Sequence, residues 1–290
     1  MADAEIRASL AALAGQTALL AEANFAARAA ALDELELHLL GWPAELPPTT
    51  AAALRRQAET LQTQLEAVDQ RLFQRLQADI RAGRLAPAEL RALLTAYAGP
   101  PDPDPEATRY DHLDALTNGL FPVPAQPLQP QFSDPEMVYY QKTPARIISR
   151  LAARLAPADV LYDLGSGLGQ VPLLVHLLSG ATTHGIEIEP GYCQYAQACA
   201  EVLDLPHVRF HCLDVRRADL ADATAFYLFT PFTGSIMREV LVQLRKLARH
   251  RALKLFSYGP STEALQEQPW LRRVGEEGHL YQLAEFRSAA

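Results

Sequence analysis

From residue 159 onward, short β-rich runs alternate with helical stretches, and this alternation restricts the fold more than any other feature of the chain. DVLYD (159–163) leads into an apolar helix. THGIEIE (183–189), a helix over 191–204, VRFHCLD (208–214), AFYLFTPF (225–232), a helix over 234–248 and ALKLFSYG (252–259) follow in turn. Parallel strands need long crossovers, which helices supply, so the pattern predicts a doubly wound, Rossmann-like α/β sheet covered on both faces. WLRRV (270–274) and HLYQLAEF (279–286), separated by Gly-Glu-Glu-Gly, predict an antiparallel terminal hairpin that completes a mostly parallel seven-stranded sheet.

The first hundred residues read differently. They are rich in Ala, Leu, Gln, Glu and Arg, all good helix formers, and contain no Lys. Thr50 is a candidate N-cap for a long helix closing near Gly83, with Leu54, Leu61, Leu65, Val68, Leu72, Leu76 and Ile80 along one face. A long helix or a broken pair is expected over 4–39, and another from Ala86-Pro87 to Gly99. The stripe predicts an all-α bundle or helical hairpin over 1–99, its leucines forming an intramolecular core; the alternative use is the seam of a homodimer. Nine of the 21 prolines fall between Pro100 and Pro135. That segment is read as a linker or wrapping stretch, interrupted by one helical patch at TRYDHLDALTNGLF (108–121), before a final domain over 136–290.

The formal net charge of −8 lacks the diffuse positive field behind non-specific nucleic-acid binding, so a coating role on DNA or RNA is not expected. Arg238, Arg245, Lys246, Arg249, Arg251 and Lys254 cluster against Glu239, which reads as the solvated face of a sheet-covering helix. Cys193, Cys199 and Cys212 form no CxxC pair, so reduced thiols and no metal site are expected. Asp3 and Glu5 precede any apolar run, which argues against a secretory signal, and no stretch approaches the roughly 20 apolar residues of a membrane span. A cytoplasmic protein without a membrane partner is the expectation.

The turn after the first strand, YDLGSGLGQ (162–170), is where such a sheet binds its ligand. Its glycines space as GxGxG, with Gln170 where the dinucleotide fingerprint has its third glycine, and no Gly-Lys-Ser/Thr follows. Asp163 at the strand end repels pyrophosphate but pairs with a cation. S-adenosylmethionine carries an ammonium and a sulfonium and no phosphate, so it fits where NAD fits poorly. Gly165 and Gly167, with Ser166 between them, let the backbone approach it. Glu187 is placed to accept both ribose hydroxyls, and Asp214 to meet the adenine amino group. Three successive strands thus end in acids in the order that this donor requires.

With those residues in place, the chain resembles the class I S-adenosylmethionine-dependent methyltransferases. VYYQKTPARIISRL (138–151), DLGSGLGQVPL (163–173), GIEIE (185–189) and FYLFTPFTG (226–234) resemble the Dot-type (non-SET) histone lysine methyltransferases, over roughly residues 135 to 260. The resemblance implies that Asp163 and Gln170 contact the methionine part of the donor and that Glu187 holds the ribose. It also implies that Tyr139, Tyr140 and Thr143 close over the donor, with S-adenosylhomocysteine as product. The departure is at the fourth strand's end, where that family has Asn-Asn-Phe and this chain has Thr230-Pro231-Phe232. This position is similar to the Asn/Asp-Pro-Pro-aromatic loop of amino-methylating enzymes. Thr230 offers a hydroxyl and a carbonyl, Pro231 shapes the loop, and Phe232 offers an aromatic wall. A bacterial-type relative that methylates an unidentified acceptor, with a lysine-like protein amine as the first candidate, is the resulting expectation. A small-molecule N- or O-methyltransferase, and a donor-binding sensor or scaffold without turnover, are the alternatives. His184 and His211, near strand ends, are secondary candidates for a base.

Overall fold

The computed structural model describes residues 3–40, 47–100, 110–121, 136, 138, 140–276 and 278–289. Most of the Pro-rich stretch lies outside them. Contacts divide the chain into two units, one of Met1–Asp79, Ala92–Pro101 and Tyr110–Phe121, the other of Ile80–Arg91, Asp102–Arg109 and Pro122–Ala290.

The helical unit holds α1 (Asp3–Ala14), α2 (Phe25–Leu40), most of α3 (Pro48–Arg81), part of α4 (Pro87–Ala98) and α5 (His112–Asn118). The expected helix over 4–39 is a broken pair, with two 3-10 turns (Thr17–Leu20 and Glu22–Asn24) between α1 and α2. Arg28, fully buried, holds the break together. Its Nη1 donates to the carbonyls of Leu19 (2.9 Å) and Ala21 (2.8 Å), and its Nε donates to Asp69 Oδ1 of α3 at 2.6 Å. A buried guanidinium needs these acceptors, because each unmet donor there carries its desolvation cost. The leucine stripe is intramolecular core: Leu54, Leu65, Val68, Leu72 and Leu76 are buried, and Leu54 and Leu65 pack with Ile6, Leu10 and Leu35. Asp111 caps α5 in a reciprocal capping box with Asp114, and the helix closes at Gly119, where a Cβ would lie 2.1 Å from the Phe73 ring.

The α/β unit contains β1 (Val160–Leu164), β2 (Thr182–Glu187), β3 (Val208–Cys212), β4 (Ala225–Leu228), β5 (Lys254–Ser257), β6 (Leu271–Val274) and β7 (Ala284–Ser288). They form one seven-stranded sheet in the order β3-β2-β1-β4-β5-β7-β6. The first five strands are parallel, and β7 runs antiparallel to both β5 and β6. This is the doubly wound, Rossmann-like fold expected, with the order reversing on either side of β1. Helix α6 (Ala145–Ala152) leads into β1, and α7 (Gln170–Ser179), α8 (Pro190–Val202), α9 (Gly234–Ala248) and α10 (Ser261–Gln266) connect the strands.

Two strand boundaries differ from expectation by more than two residues. The last strand begins at Ala284 rather than 279, and residues 278–283 belong to the connection from β6. Within it the Leu280 carbonyl accepts the Gly259 N–H (2.9 Å) and Tyr281 packs edge-on against Tyr258 (5.7 Å), so the alternating pattern of 279–283 serves loop packing. The strand expected over 225–232 ends at Leu228, because the backbone turns left-handed at Thr230 (φ +43°).

Ile236, Met237, Val240, Leu241 and Leu244 of α9 belong to the core formed with Phe226, Leu228 and Phe286, while Arg238, Arg245, Lys246 and Arg249 are exposed. Among the described residues, no helix is long and apolar enough to cross a membrane. Cys193 and Cys199 are buried, Cys212 is exposed, and all three thiols are free.

Candidate functional site

At the carboxyl ends of β1, β2 and β4 the α/β unit encloses a cavity of about 590 Å³. The glycine turn forms its floor. Gly165, Gly167 and Gly169 have φ of +88°, +53° and +78°, the left-handed region that side chains resist. Each has a steric reason as well. A Cβ on Gly165 would come within 2.2 Å of Pro231 Cβ, and one on Gly167 within 2.2 Å of the Tyr140 ring. On Gly169 it would strike Ala196 and Phe210, both at 2.6 Å. The third glycine therefore allows α8 and β3 to pack closely, while the first two allow the 231 loop and the 140 segment to close on the turn.

Asp163, Glu187 and Asp214 all line the cavity, but their carboxylates are held differently. Asp163 is 3 % exposed; burial, and then the nearby Glu187 charge, push its carboxyl well above the usual carboxylate range. Glu187 is braced by backbone: Oε2 accepts the Gly167 N–H (2.8 Å), and Oε1 accepts those of Ile188 (2.8 Å) and Glu189 (2.9 Å). Burial raises its pKa, and these three bonds oppose the rise. Asp214 caps the 3-10 turn Val215–Arg217 and receives a two-pronged contact from Arg216, with Nη2 to Oδ2 at 2.6 Å, which keeps its pKa low. Its carboxylate is thus already engaged, leaving the cavity wall of Leu213, Asp214 and Val215 as a mixed surface.

Tyr140, Thr143, Ser166 and Gln170 complete the donor-side set that the sequence singles out, and all line the same cavity. Tyr139 lies outside the described residues. Thr143 Oγ1 and the Tyr227 hydroxyl are 3.0 Å apart, so Tyr227 is both core and cavity wall. Thr230, Pro231 and Phe232 line the cavity too, with Phe229 and Ile236. Thr230 is β-branched yet left-handed, a conformation that costs on the order of 1–2 kcal/mol and must be held from outside. Ser261 does so: its Oγ accepts the Thr230 N–H at 2.9 Å.

The sequence reading missed several wall residues. Tyr192, one turn into α8, packs at 5.7 Å from Tyr140, and Glu189 and Gln141 also face the cavity. Tyr192 follows the acid-ending strand by a few residues and could have been found there; Gln141 and Phe229 carry no signal of their own. His184 and His211 do not line the cavity. They stack on one another and on Tyr162, with His184 Nδ1 2.9 Å from His211 Nε2, and burial lowers the pKa of both.

Whether these residues suit a methyl donor can be judged on three observations. Glycines leave backbone-lined space where any Cβ would intrude. Among the described residues Ser166 Oγ is buried with no hydrogen-bond partner, an acceptor and donor left for a ligand. Among the described wall residues there are four carboxylates and no Lys, Arg or His, which suits a cationic, phosphate-free molecule. The residues fit the group.

No protein-family model and no curated protein matches the chain. Many solved structures do. One is an RNA methyltransferase from Salinibacter ruber in complex with S-adenosyl-L-homocysteine, with 27 % identity and a TM-score of 0.39, covering 51 % of this chain and 92 % of that one. Another is a precorrin-6y C5,15-methyltransferase from Geobacter metallireducens, at 14 % identity and TM-score 0.37, covering 55 % and 92 %. A third is a tRNA (m1A58) methyltransferase from Aquifex aeolicus, at 13 % and 0.39, covering 52 % and 70 %.

Proposed function

We propose that the protein is a class I S-adenosylmethionine-dependent methyltransferase. The observation that carries this reading is the cavity at the strand ends, where Asp163, the glycine turn, Glu187 and Asp214 meet the Thr230–Phe232 loop. Asp163 and Gln170 would hold the amino-acid part of the donor, Glu187 the ribose, and the wall at Leu213–Val215 the adenine. When bound, the donor supplies an activated methyl group on a sulfonium. The chain's own residues then have to orient the acceptor in line with it and exclude water, which accounts for much of the rate in such a displacement.

The acceptor we favour is an amine that is neutral or cationic overall. A phosphate-bearing group would meet carboxylates and no described cation in this cavity, an electrostatic cost without compensation. Phe229 and Phe232 offer flat apolar walls, and the left-handed turn at Thr230 offers a carbonyl and a hydroxyl as acceptors for the amine's hydrogens. A protein lysine, which the Dot-type resemblance implies, and a small-molecule amine both belong to this proposal; a small-molecule hydroxyl is the alternative. A donor-binding sensor is the second reading, motivated by Thr230 standing where amino-methylating enzymes carry an amide side chain.

The test is transfer of radiolabelled methyl from S-adenosylmethionine to protein, amine and hydroxyl acceptors. The enzyme reading expects labelled product, with Thr230→Ala lowering turnover while leaving donor affinity intact. Donor binding without any transfer or slow donor hydrolysis favours the sensor.

A further inference from the structure

The segment leading into α6 supplies Val138, Tyr140, Gln141 and Thr143 to the cavity wall, yet it is anchored by a residue that does not line the cavity. Glu136 reaches the start of α9, almost a hundred residues away in sequence. Its carboxylate accepts the Ser235 N–H (2.9 and 2.8 Å to the two oxygens), the Ser235 hydroxyl (2.6 Å) and the Ile236 N–H (3.1 Å). Its carbonyl accepts the Thr233 N–H at 2.8 Å, and two residues on the Val138 N–H donates to the Pro231 carbonyl at 3.4 Å. Gly234 is shaped to admit it: a Cβ there would lie 2.1 Å from Glu136 Oε1. The Ser235 hydroxyl and the backbone N–H groups of Ser235 and Ile236 hold the Glu136 pKa down to about 2, so the carboxylate is charged throughout the physiological range.

A plain helix cap would be the simplest account. The N-cap residue of α9, Thr233, makes no side-chain cap bond, and Glu136 fills that place from outside the helix. A local Ser or Asp could cap α9 equally well. What a distant carboxylate adds is a tie between two cavity walls, Val138 with residues 140–143 and the 230–234 loop. Tyr140 meanwhile lies against Gly167 and Tyr192, so a displaced segment would uncover the donor end.

We infer that Glu136 is a positioning residue that latches Val138 and residues 140–143 over the methyl-donor site and sets how long the donor stays. This rests on the donor reading above. The latch acts on dissociation: opening exposes the ligand, and apparent affinity falls by the fraction of chains that are closed. It also fixes the acceptor loop from the side opposite Ser261, so one residue ties donor retention to acceptor-loop geometry.

The experiment measures binding of S-adenosylhomocysteine to the full chain, with equilibrium affinity by calorimetry and dissociation rate by surface plasmon resonance. Glu136→Ala should bind roughly tenfold more weakly, the change appearing mainly in the dissociation rate. Glu136→Gln, which keeps one acceptor oxygen, should fall between it and wild type, a graded rescue that loss of fold would not produce. Ser235→Ala removes only the hydroxyl donor and decides the matter should Glu136→Ala fail to fold: it too should speed dissociation. A folded Glu136→Ala protein with wild-type dissociation overturns the latch, as does wild-type dissociation in Ser235→Ala. Wild-type protein that does not bind the ligand at all overturns the donor reading instead.

Discussion

The two parts of the cavity that we assign to the donor and to the acceptor are built by opposite means. The donor end is made of residue types: three glycines, Asp163 at the end of β1, and Glu187 with its carboxylate braced by three backbone N–H groups. The acceptor end is made of conformation. Thr230 sits at φ +43°, held by Ser261 on one side, while Glu136 fixes residues 233–236 on the other. Chemistry that must recognise one invariant molecule can be written into side chains on strand ends. Recognition that varies between substrates can instead sit on a loop whose shape is set by residues elsewhere, as function-bearing loops on rigid scaffolds do.

This contrast can be broken in stages. The largest effect should come from the donor scaffold. Gly169→Ala adds a Cβ against Ala196 and Phe210 at a left-handed position and should lower stability by roughly 3 kcal/mol, read by denaturant unfolding. Unchanged stability would mean that the turn is less tightly packed than its geometry requires.

Asp163→Asn separates binding from folding. It should weaken donor binding by about 2 kcal/mol, roughly thirtyfold, through loss of a charge-assisted contact. The free protein should at the same time gain about 1 kcal/mol in stability. The sign follows from burial. Asp163 holds its proton more tightly folded than unfolded, so stability falls as pH rises from the ordinary carboxylate range toward its raised pKa. The amide carries no such charge. A variant that loses both binding and stability would contradict the assignment.

The acceptor end should respond in the reverse sense. Thr230→Gly removes the left-handed penalty and should raise the melting temperature by the equivalent of about 1 kcal/mol. Turnover should drop while donor affinity stays put. The smallest effect concerns protons: a cationic donor favours ionised Asp163, so binding should release a proton and weaken as pH falls through that residue's raised pKa. Calorimetry in buffers of different ionisation enthalpy reads this directly, and no buffer dependence would remove Asp163 as the ammonium's partner.

Much of the fold was legible because strand–helix alternation and the leucine stripe are periodic signals. The sheet, its antiparallel end and the long helix carrying the stripe follow from them, whereas over 4–39 the sequence left one helix and a broken pair both open. The start of β7 was not legible: 279–283 alternates like a strand, and only the packing of Tyr281 on Tyr258 makes it a loop. The same holds for the site. Asp163, Glu187 and the glycines are readable because each does its work through its own identity. Ser261 and Glu136 are an ordinary serine and an ordinary glutamate until the chain brings them to Thr230 and Ser235.

The most direct measurement is calorimetric titration of the wild-type chain with S-adenosylhomocysteine, with NADH as competitor and Asp163→Asn in parallel. The account predicts binding of the sulfur ligand by the wild type, no displacement by NADH and a loss in the variant. Absence of binding, or displacement by NADH, would contradict it.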